Sequence, residues 1–466
     1  MTSTAHPVSR TRIRILEIAA VVLTLLLAAC GGGGDGGGDA PPPLLSISVP
    51  GQAVIKVRSG AQGIVALGEK PQAINDPLPR ARKLVLLGAG AQTGQYVPPA
   101  GWSLLDFAIH PSGEISAILG TDMALRLVRL NAAGGVLHDQ PLLDHEARND
   151  PSVDLEGVTN PDSLVPAFSR DAARVAPIGE DVAVAVRTGI NAAVAYRYDR
   201  TAAGFTRAWR TLVEPGMTVM GRFLTGGSHD VFDQLANHAK VLLDTDGQGR
   251  VAVAVTGGSA TDLFHAHAAH FNEATGTIGN GGIVTLLSAT GARLVSTAVD
   301  TAQVSELHGL RNTGNGFALV GRVRTQRLAD GSGWNAFAAF ISQAGELRNY
   351  SVINVDRGDV LFDLVAGRNS QLLAVGTTGY TQNPFGASIS EEAAPLLLVL
   401  SDTGTVVSRL AVTAGPRHNQ LRTLARHGTH WLAGGMSNGP GTHSGDVDPG
   451  LISADGVLRE IAPIWP

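Results

Sequence analysis

Short apolar strands that end at or beside a glycine recur along this chain. IVALG closes at Gly68, ISAILG at Gly120, VAVAVRTG at Gly189, VAVAVTG at Gly257, FALVG at Gly321, LLAVG at Gly376 and WLAG at Gly434. Successive glycines lie 52, 69, 68, 64, 55 and 58 residues apart. Seven such units fill residues 44–466 with almost nothing left over. Repeats of this period in strand-rich sequence predict a propeller or a solenoid rather than one sandwich.

The unit from Asp359 to Thr413 shows the content of one repeat. VLFDLVA leads through Gly367-Arg368-Asn369 into LLAVGTT; a connection from Tyr380 to Ala394 reaches LLLVLS; and Asp402-Thr403-Gly404 turns into VVSRLAV. That makes four strands, two pairs of them joined by turn residues that reach positive φ cheaply. The unit from Val304 repeats the order with SELHGLR, FALVGRV, AFAAFIS and LRNYSVI. Strands apolar on both faces are expected where each sheet is sandwiched between two neighbours. The expectation is therefore an all-β fold, a β-propeller of seven four-stranded blades, with six or eight the adjacent counts the spacing admits.

At these residues the chain resembles bacterial β-propeller repeat proteins, whose blades pair a glycine-flanked apolar strand with an apolar strand followed by an acidic residue or Ser, two further residues and Gly. The matching pairs are GNGFALVG with FISQAG, SQLLAVG with LSDTG, GQGRVAVAVTG with LSATG, and GTHWLAGG with ISADG. The resemblance covers most of 44–466 and implies fold, not ligand. Trp-Asp strand endings, kelch double glycines and the tryptophan-docking repeats of quinoprotein dehydrogenases are missing from the sequence.

The first 43 residues obey a different logic. Arg10, Arg12 and Arg14 precede an apolar run from Ile18 to Ala29, too short for a stable membrane span, and Leu27-Ala28-Ala29-Cys30 closes it. This is a signal peptide over 1–29, and the tetrapeptide resembles the lipobox of bacterial lipoproteins, which implies cleavage before Cys30 and its lipidation. Cys30 is the one cysteine in the chain, so it has no intramolecular disulfide partner. Residues 30–43, mostly glycine and then Pro41-Pro42-Pro43, cannot bury enough apolar surface to fold and read as a tether. Gly31 stands where an aspartate would favour inner-membrane retention, so the resemblance implies an outer-membrane anchor, facing periplasm or cell surface. A membrane partner through the lipid is thus expected.

Charge narrows the remaining partners. The chain carries a net charge of −5, and removal of a leader with three Arg and one Glu makes it more negative. With neither a basic patch nor interleaved aromatics, nucleic acid is not an expected partner; a protein or polysaccharide ligand is.

Long segments sit after the second strand of a unit or between units, including 139–170, 214–237, 258–282, 322–335, 377–394 and 435–449, while the first and third turns are short. Blade geometry gathers those long connections on one face, where a site is expected. Among them, His265 and His267 project to one side of an extended segment, with His270 and Asp262 beside them and His443, Asp446 or Asp448 as donors from a neighbouring loop, a set able to hold a divalent metal of the zinc type. A histidine-rich surface hairpin is the competing reading. Asp139, Asp144, Glu146, Asp150, Asp154, Glu156 and Asp162 form either a calcium-competent or simply a solvated acidic loop. Asp244 to Gly249 reads as a turn. Trp334, Tyr380 and Phe385 are candidate stacking platforms for a sugar or peptide.

Two strings imitate enzyme motifs. Gly435-Met436-Ser437-Asn438-Gly439 has the nucleophile-elbow spacing but lacks a following helix. Leu84 to Gly94 misses the dinucleotide spacing and runs into Pro98-Pro99. The sequence thus reads as a membrane-anchored, extracytoplasmic binding or scaffolding module, or alternatively as a metal-assisted lyase or hydrolase of an extracellular or periplasmic polymer. The anchor has a direct check: Cys30→Ala should abolish labelling by radioactive palmitate and release the protein from washed membranes, whereas an unlabelled variant still held in membranes would contradict the lipobox reading.

Overall fold

A computed structural model describes residues 46–69, 82–88, 91–121, 124–143, 173–187, 192–215, 240–256, 270–272, 277–279, 282–299, 305–325, 333–356, 358–379, 393–412, 418–439 and 455–461. The strands of the described residues all belong to the unit Leu44–Pro466. Seven four-stranded antiparallel sheets form the blades, with a two-stranded hairpin, His270–Asn272 with Thr277–Gly279, inserted in the fourth.

In blades one to six the strands pair in chain order with the first innermost, and in blade seven the innermost strand is the first of the three that the end of the chain supplies. These inner strands are Ala53–Gly60, Ser103–Ile109, Ala173–Ile178, Lys240–Thr245, Ser305–Asn312, Val360–Ala366 and His418–His427. Each packs beside the inner strand of the next blade, and the seventh packs beside the first, which closes the ring. The two ends of the domain reinforce that closure: Ser46–Val49 leaves its sequence neighbours and adds to Asp455–Ile461 as the outermost strand of blade seven. The first strand of the domain and its last thus share a sheet, a connection that repeat spacing alone does not reveal.

The blade faces explain the valine–alanine alternation. In Asp181–Arg187, Val182, Val184 and Val186 pack towards blade two against Ile118, Leu125 and Leu127, while Ala183 and Ala185 pack towards blade four against Val241, Val251 and Val253. Val251–Thr256 repeats the device, its valines facing blade three and Ala252 and Ala254 facing blade five. Side chains of a strand alternate between faces, so a large–small alternation sets the spacing to each neighbour separately.

The acidic-or-Ser turn motif has a mechanical role. The side-chain oxygens of Asn131, Ser288, Ser342 and Ser401 each accept backbone N–H groups two and four residues on, and the glycine at the next-to-last position takes φ between 81° and 87°. That glycine nests against the outer strand of the preceding blade, where a Cβ on Gly345 would lie 2.0 Å from Val295 Cγ1. Turn carbonyls then accept hydrogen bonds from that strand: Thr211 Oγ1 donates to Gly291 at 2.6 Å, Thr297 Oγ1 to Gly345, and Ser351 Oγ to Thr403 at 2.7 Å. Asp246 likewise caps its own turn through Gln248 N and Arg250 N, in keeping with the turn read from sequence.

The repeat glycine has a different cause. In blades one, two, five, six and seven the inner strand bulges opposite or next to it, between Val54 and Lys56, Leu104 and Asp106, Leu307 and Gly309, Leu361 and Asp363, and Leu421 and Thr423. In blades five and six the bulge presses backbone onto the second strand: a Cβ on Gly321 would sit 1.9 Å from Glu306 O, and one on Gly376 1.9 Å from Val360 O, whereas Gly68, Gly120 and Gly434 meet the side chains of Gln52, Leu105 and Val54 first. Gly189 and Gly257 lie outside the described residues. Gly321→Ala should therefore cost roughly 3 kcal/mol in urea unfolding, the scale of an overpacked core position. Gly247→Ala, with nothing within 4 Å, should change stability by under about 0.5 kcal/mol; equal effects would refute the bulge explanation.

Candidate functional site

Turns between the first and second strands of every blade, and between the third and fourth of blades one to six, are two to five residues long, and they leave one end of the ring. The opposite end receives every connection longer than ten residues: 70–81, 144–172, 216–239, 379–393, 440–454 and the segment carrying the inserted hairpin, 257–281. The division expected from sequence is thus present in the strand order. Inner strands start at the long-connection end, so the first residues of each surround the channel mouth there.

The five bulges place one extra residue each at that level: Ile55, Leu105, His308, Phe362 and Arg422. Three of them meet around the ring. The His308 and Phe362 rings lie edge to face at 5.3 Å, and the Arg422 guanidinium sits 5.1 Å from the Phe362 centroid. Arg422 Nε also donates to Gln420 Oε1 at 2.6 Å. Beside them, Arg322 forms a two-pronged pair with Glu306, both bonds 3.0 Å, and stacks 4.4 Å above the Trp334 ring. Bidentate geometry and a ring beneath fix the guanidinium plane.

One step deeper, the residue after the bulge is charged in three blades: Lys56, Asp106 and Asp363. Lys56 Nζ pairs with Asp106 at 2.5 Å, and Asp106 Oδ2 accepts Val175 N of the next inner strand at 2.9 Å. Asp363 accepts Arg311 Nε and Nη2 at 2.9 and 2.8 Å, Leu424 N at 3.0 Å and Thr423 Oγ1 at 3.1 Å. Asp244 accepts Asn312 N at 2.7 Å, and Thr423 Oγ1 accepts Val57 N at 3.0 Å. Each carboxylate or hydroxyl thereby ties one inner strand to the next across the channel wall, satisfying N–H groups that have no strand partner on that side.

The electrostatics reach further than the contacts. Arg58 of blade one feels the charges of Arg311, Asp363, Asp106 and Asp244, which belong to blades five, six, two and four. Blades one and five are not neighbours, so Arg58 and Arg311 sense each other across the channel. Burial, and then Arg311, lower the Arg58 guanidinium to about 10. Burial likewise draws Lys56 down to about 7 against the pull of Asp106. For Asp363, burial works upward, but the Arg311 and Arg58 charges and the hydrogen bonds outweigh it and hold the carboxyl below its ordinary value.

Sequence-derived candidates fall partly elsewhere. Asp262, His265, His267, Tyr380, Phe385, His443, Asp446, Asp448 and Cys30 lie outside the described residues, as do the acidic residues from Asp144 to Asp162. His270 opens the inserted hairpin opposite Gly279. Asp139 is on the outer strand of blade two, paired with Arg126 at 2.6 Å. Trp334 is 8 % exposed, one indole face already covered by Arg322. Ser437 lies inside the strand His430–Gly439 and donates to Asn419 Oδ1, so no elbow forms; Arg82–Gly88 pairs with Ala91–Tyr96 as a hairpin, so no dinucleotide turn forms. Among the described residues no group of three His, Cys, Asp or Glu is arranged to hold a metal.

The channel charges are not singled out by the repeat glycines, though the sequence carries a signal for them. Lys56, Asp106 and Asp363 each stand between two apolar neighbours at one repeat position of their first strands, which aligning the first strands, rather than the glycine-ending second ones, would expose.

No protein-family model and no curated protein matches the chain. Among solved structures it is similar to a catalytically inactive virginiamycin B lyase from Staphylococcus aureus with quinupristin, at 12% identity and TM-score 0.44 over 89% of this chain and 99% of that one. It is also similar to the β-propeller domain of Cps50 (Swd1) from Myceliophteria thermophila, at 8% identity and TM-score 0.45 over 90% and 100%, and to the WD40 β-propeller domain of Doa1, at 8% and 0.44 over 89% and 94%. Similarity at this level assigns neither ligand nor activity, and the fold stands on the strand pairing itself.

The inner-strand ties make a quantitative expectation. Asp363→Ala strands Arg311 and Leu424 N at once and should lower unfolding stability by roughly 3 to 5 kcal/mol, the scale for breaking a buried pair from one side. A loss under about 1 kcal/mol in denaturant titration would mean that Asp363 does not tie blades six and seven.

Proposed function

We propose that the chain is an extracytoplasmic binding or scaffolding propeller, anchored through lipidated Cys30 and engaging a protein or polysaccharide on its long-connection face. One observation carries the reading. Every turn on one end of the ring is reduced to two to five residues, while the connections of twelve residues and more leave from the other. A compact blade does not need such connections, and length retained on one face alone is characteristic of recognition surfaces built on a rigid scaffold. The channel mouth on that same face presents aromatic and guanidinium groups, Phe362, Arg422 and His308, of the kind enriched where proteins bind partners.

The tether fits the same reading. Residues 30–43 are long and glycine-rich enough to hold a ring away from a bilayer and leave either face accessible. The outer membrane is the anchor site that Gly31 favours.

Replacement of 440–454 by a two-residue Asn-Gly turn should abolish recovery of an envelope partner after mild detergent extraction and crosslinking. Asp402→Arg, on an exposed turn of the opposite face, should leave recovery unchanged. Loss in the Asp402 variant with retention in the loop replacement would place the contact surface on the other face and defeat this reading.

A further inference from the structure

Among the described residues, Arg58 is a channel cation with no carboxylate in hydrogen-bond contact. Lys56 has Asp106, and Arg311 has both oxygens of Asp363. Asp244 and Asp106 also hold backbone N–H groups of the following blade. Among the described residues, the Arg58 guanidinium makes one hydrogen bond, from Nη1 to the carbonyl of Val57 beside it in sequence, at 2.6 Å. Its remaining N–H groups have no acceptor among those residues, although a guanidinium carries five donors in a fixed fork.

The surrounding residues make this arrangement specific. Arg58 lies two residues beyond Lys56 on the first inner strand, and Arg311 lies two beyond Gly309 on the fifth. Gly309 has no side chain, and Ala108 stands at the position of blade two that corresponds to Arg58. Two guanidiniums thus approach from blades that do not touch. Lys56 and Arg311 each pair with a carboxylate, Asp106 and Asp363, whereas Arg58 feels the like charge of Arg311 together with the charges of Asp363, Asp106 and Asp244. Like charges drawn together where burial weakens screening oppose one another until an anion comes between them.

We infer that the central channel is an anion site, with Arg58 and Arg311 as a facing pair of guanidiniums that takes a carboxylate or a tetrahedral oxyanion between them. Planar donors match either oxyanion with paired hydrogen bonds, which a lysine would not. Arg311 is held in place by Asp363, so it presents its outer edge without moving; Arg58 is the adaptable arm. The anion is either a free ion or the acidic group of a larger molecule admitted at the long-connection mouth. This site stands without the loop-face reading, since it needs only inner-strand residues.

Thermal unfolding and calorimetric titration of the full mature protein test it, at constant ionic strength with chloride as reference. Sodium sulfate, inorganic phosphate, acetate and a galacturonate trimer are the probes. Saturable binding with a rise in Tm is expected for at least one of them. Arg58→Met should lose that saturable rise and weaken binding at least tenfold, yet in chloride alone should melt at the wild-type temperature or above it, because a like charge facing Arg311 has gone. Arg426→Gln, an exposed arginine at the far end of the seventh inner strand, should bind as wild type. Arg58→Lys keeps the charge without the fork and should bind more weakly than wild type, which serves if the methionine variant does not fold. Tighter binding of the trimer than of acetate assigns the anion to a larger ligand; equal binding assigns it to a free ion. A Tm that rises linearly with every salt, equally in wild type and Arg58→Met, is general salting and would overturn the site.

Discussion

A sheet of four short strands has two apolar faces and no way to cover both, and the rest of this ring depends on that constraint. Ala183 and Val184 are adjacent in sequence and fully buried, but they are buried by different blades. Removing one blade would expose a face on each of two others, so the seven sheets stand or fall as a closed set. Terminal repeats in open arrays are capped by polar faces; here Ser46–Val49 instead completes blade seven from the far end of the chain. Closure therefore depends on the four-residue strand that comes directly after the tether.

Packing against both faces leaves the inner strand with an unpaired edge towards the channel. Water can satisfy some of those groups, but this protein uses side chains for several. Asp106, Asp244, Asp363 and Thr423 each bond to a backbone N–H of the neighbouring inner strand. A carboxylate used this way needs cations nearby to stay ionised at low cost, and Lys56 and Arg311 supply them. The charged channel is in this sense a consequence of the ring, and only the Arg58 guanidinium goes beyond what closure requires.

The fold is readable in the sequence because glycine and turn chemistry repeat for mechanical reasons. Gly321 and Gly376 recur where a bulged backbone leaves no space for Cβ, and Ser342 and Ser401 recur where a hydroxyl caps a turn docked on the blade before. Those constraints are local and leave the same mark in each unit. The channel residues obey a constraint of the whole ring: Arg311 is held by Asp363, 52 residues away, and Arg58 senses charges on four other blades. No window of one repeat contains such a relation. His265 and His267 stand out in the sequence instead because their spacing is local and therefore visible, and they belong to a segment outside the described residues.

Arg58 and Arg311 also show why charge totals mislead for a protein of this shape. A chain of net charge −5 gives no hint of cationic chemistry, and its exterior is expected to repel anions at long range. Screening confines that repulsion to about a Debye length, near 8 Å at physiological salt. Inside the channel the balance is set by a handful of groups whose surroundings screen poorly. An anion that reaches the mouth meets Arg422 first, over Phe362, and then the deeper guanidiniums. Selection by such a path favours a ligand with a localised charge and some surface to lay against the mouth, over one whose attraction depends on the field of the whole molecule.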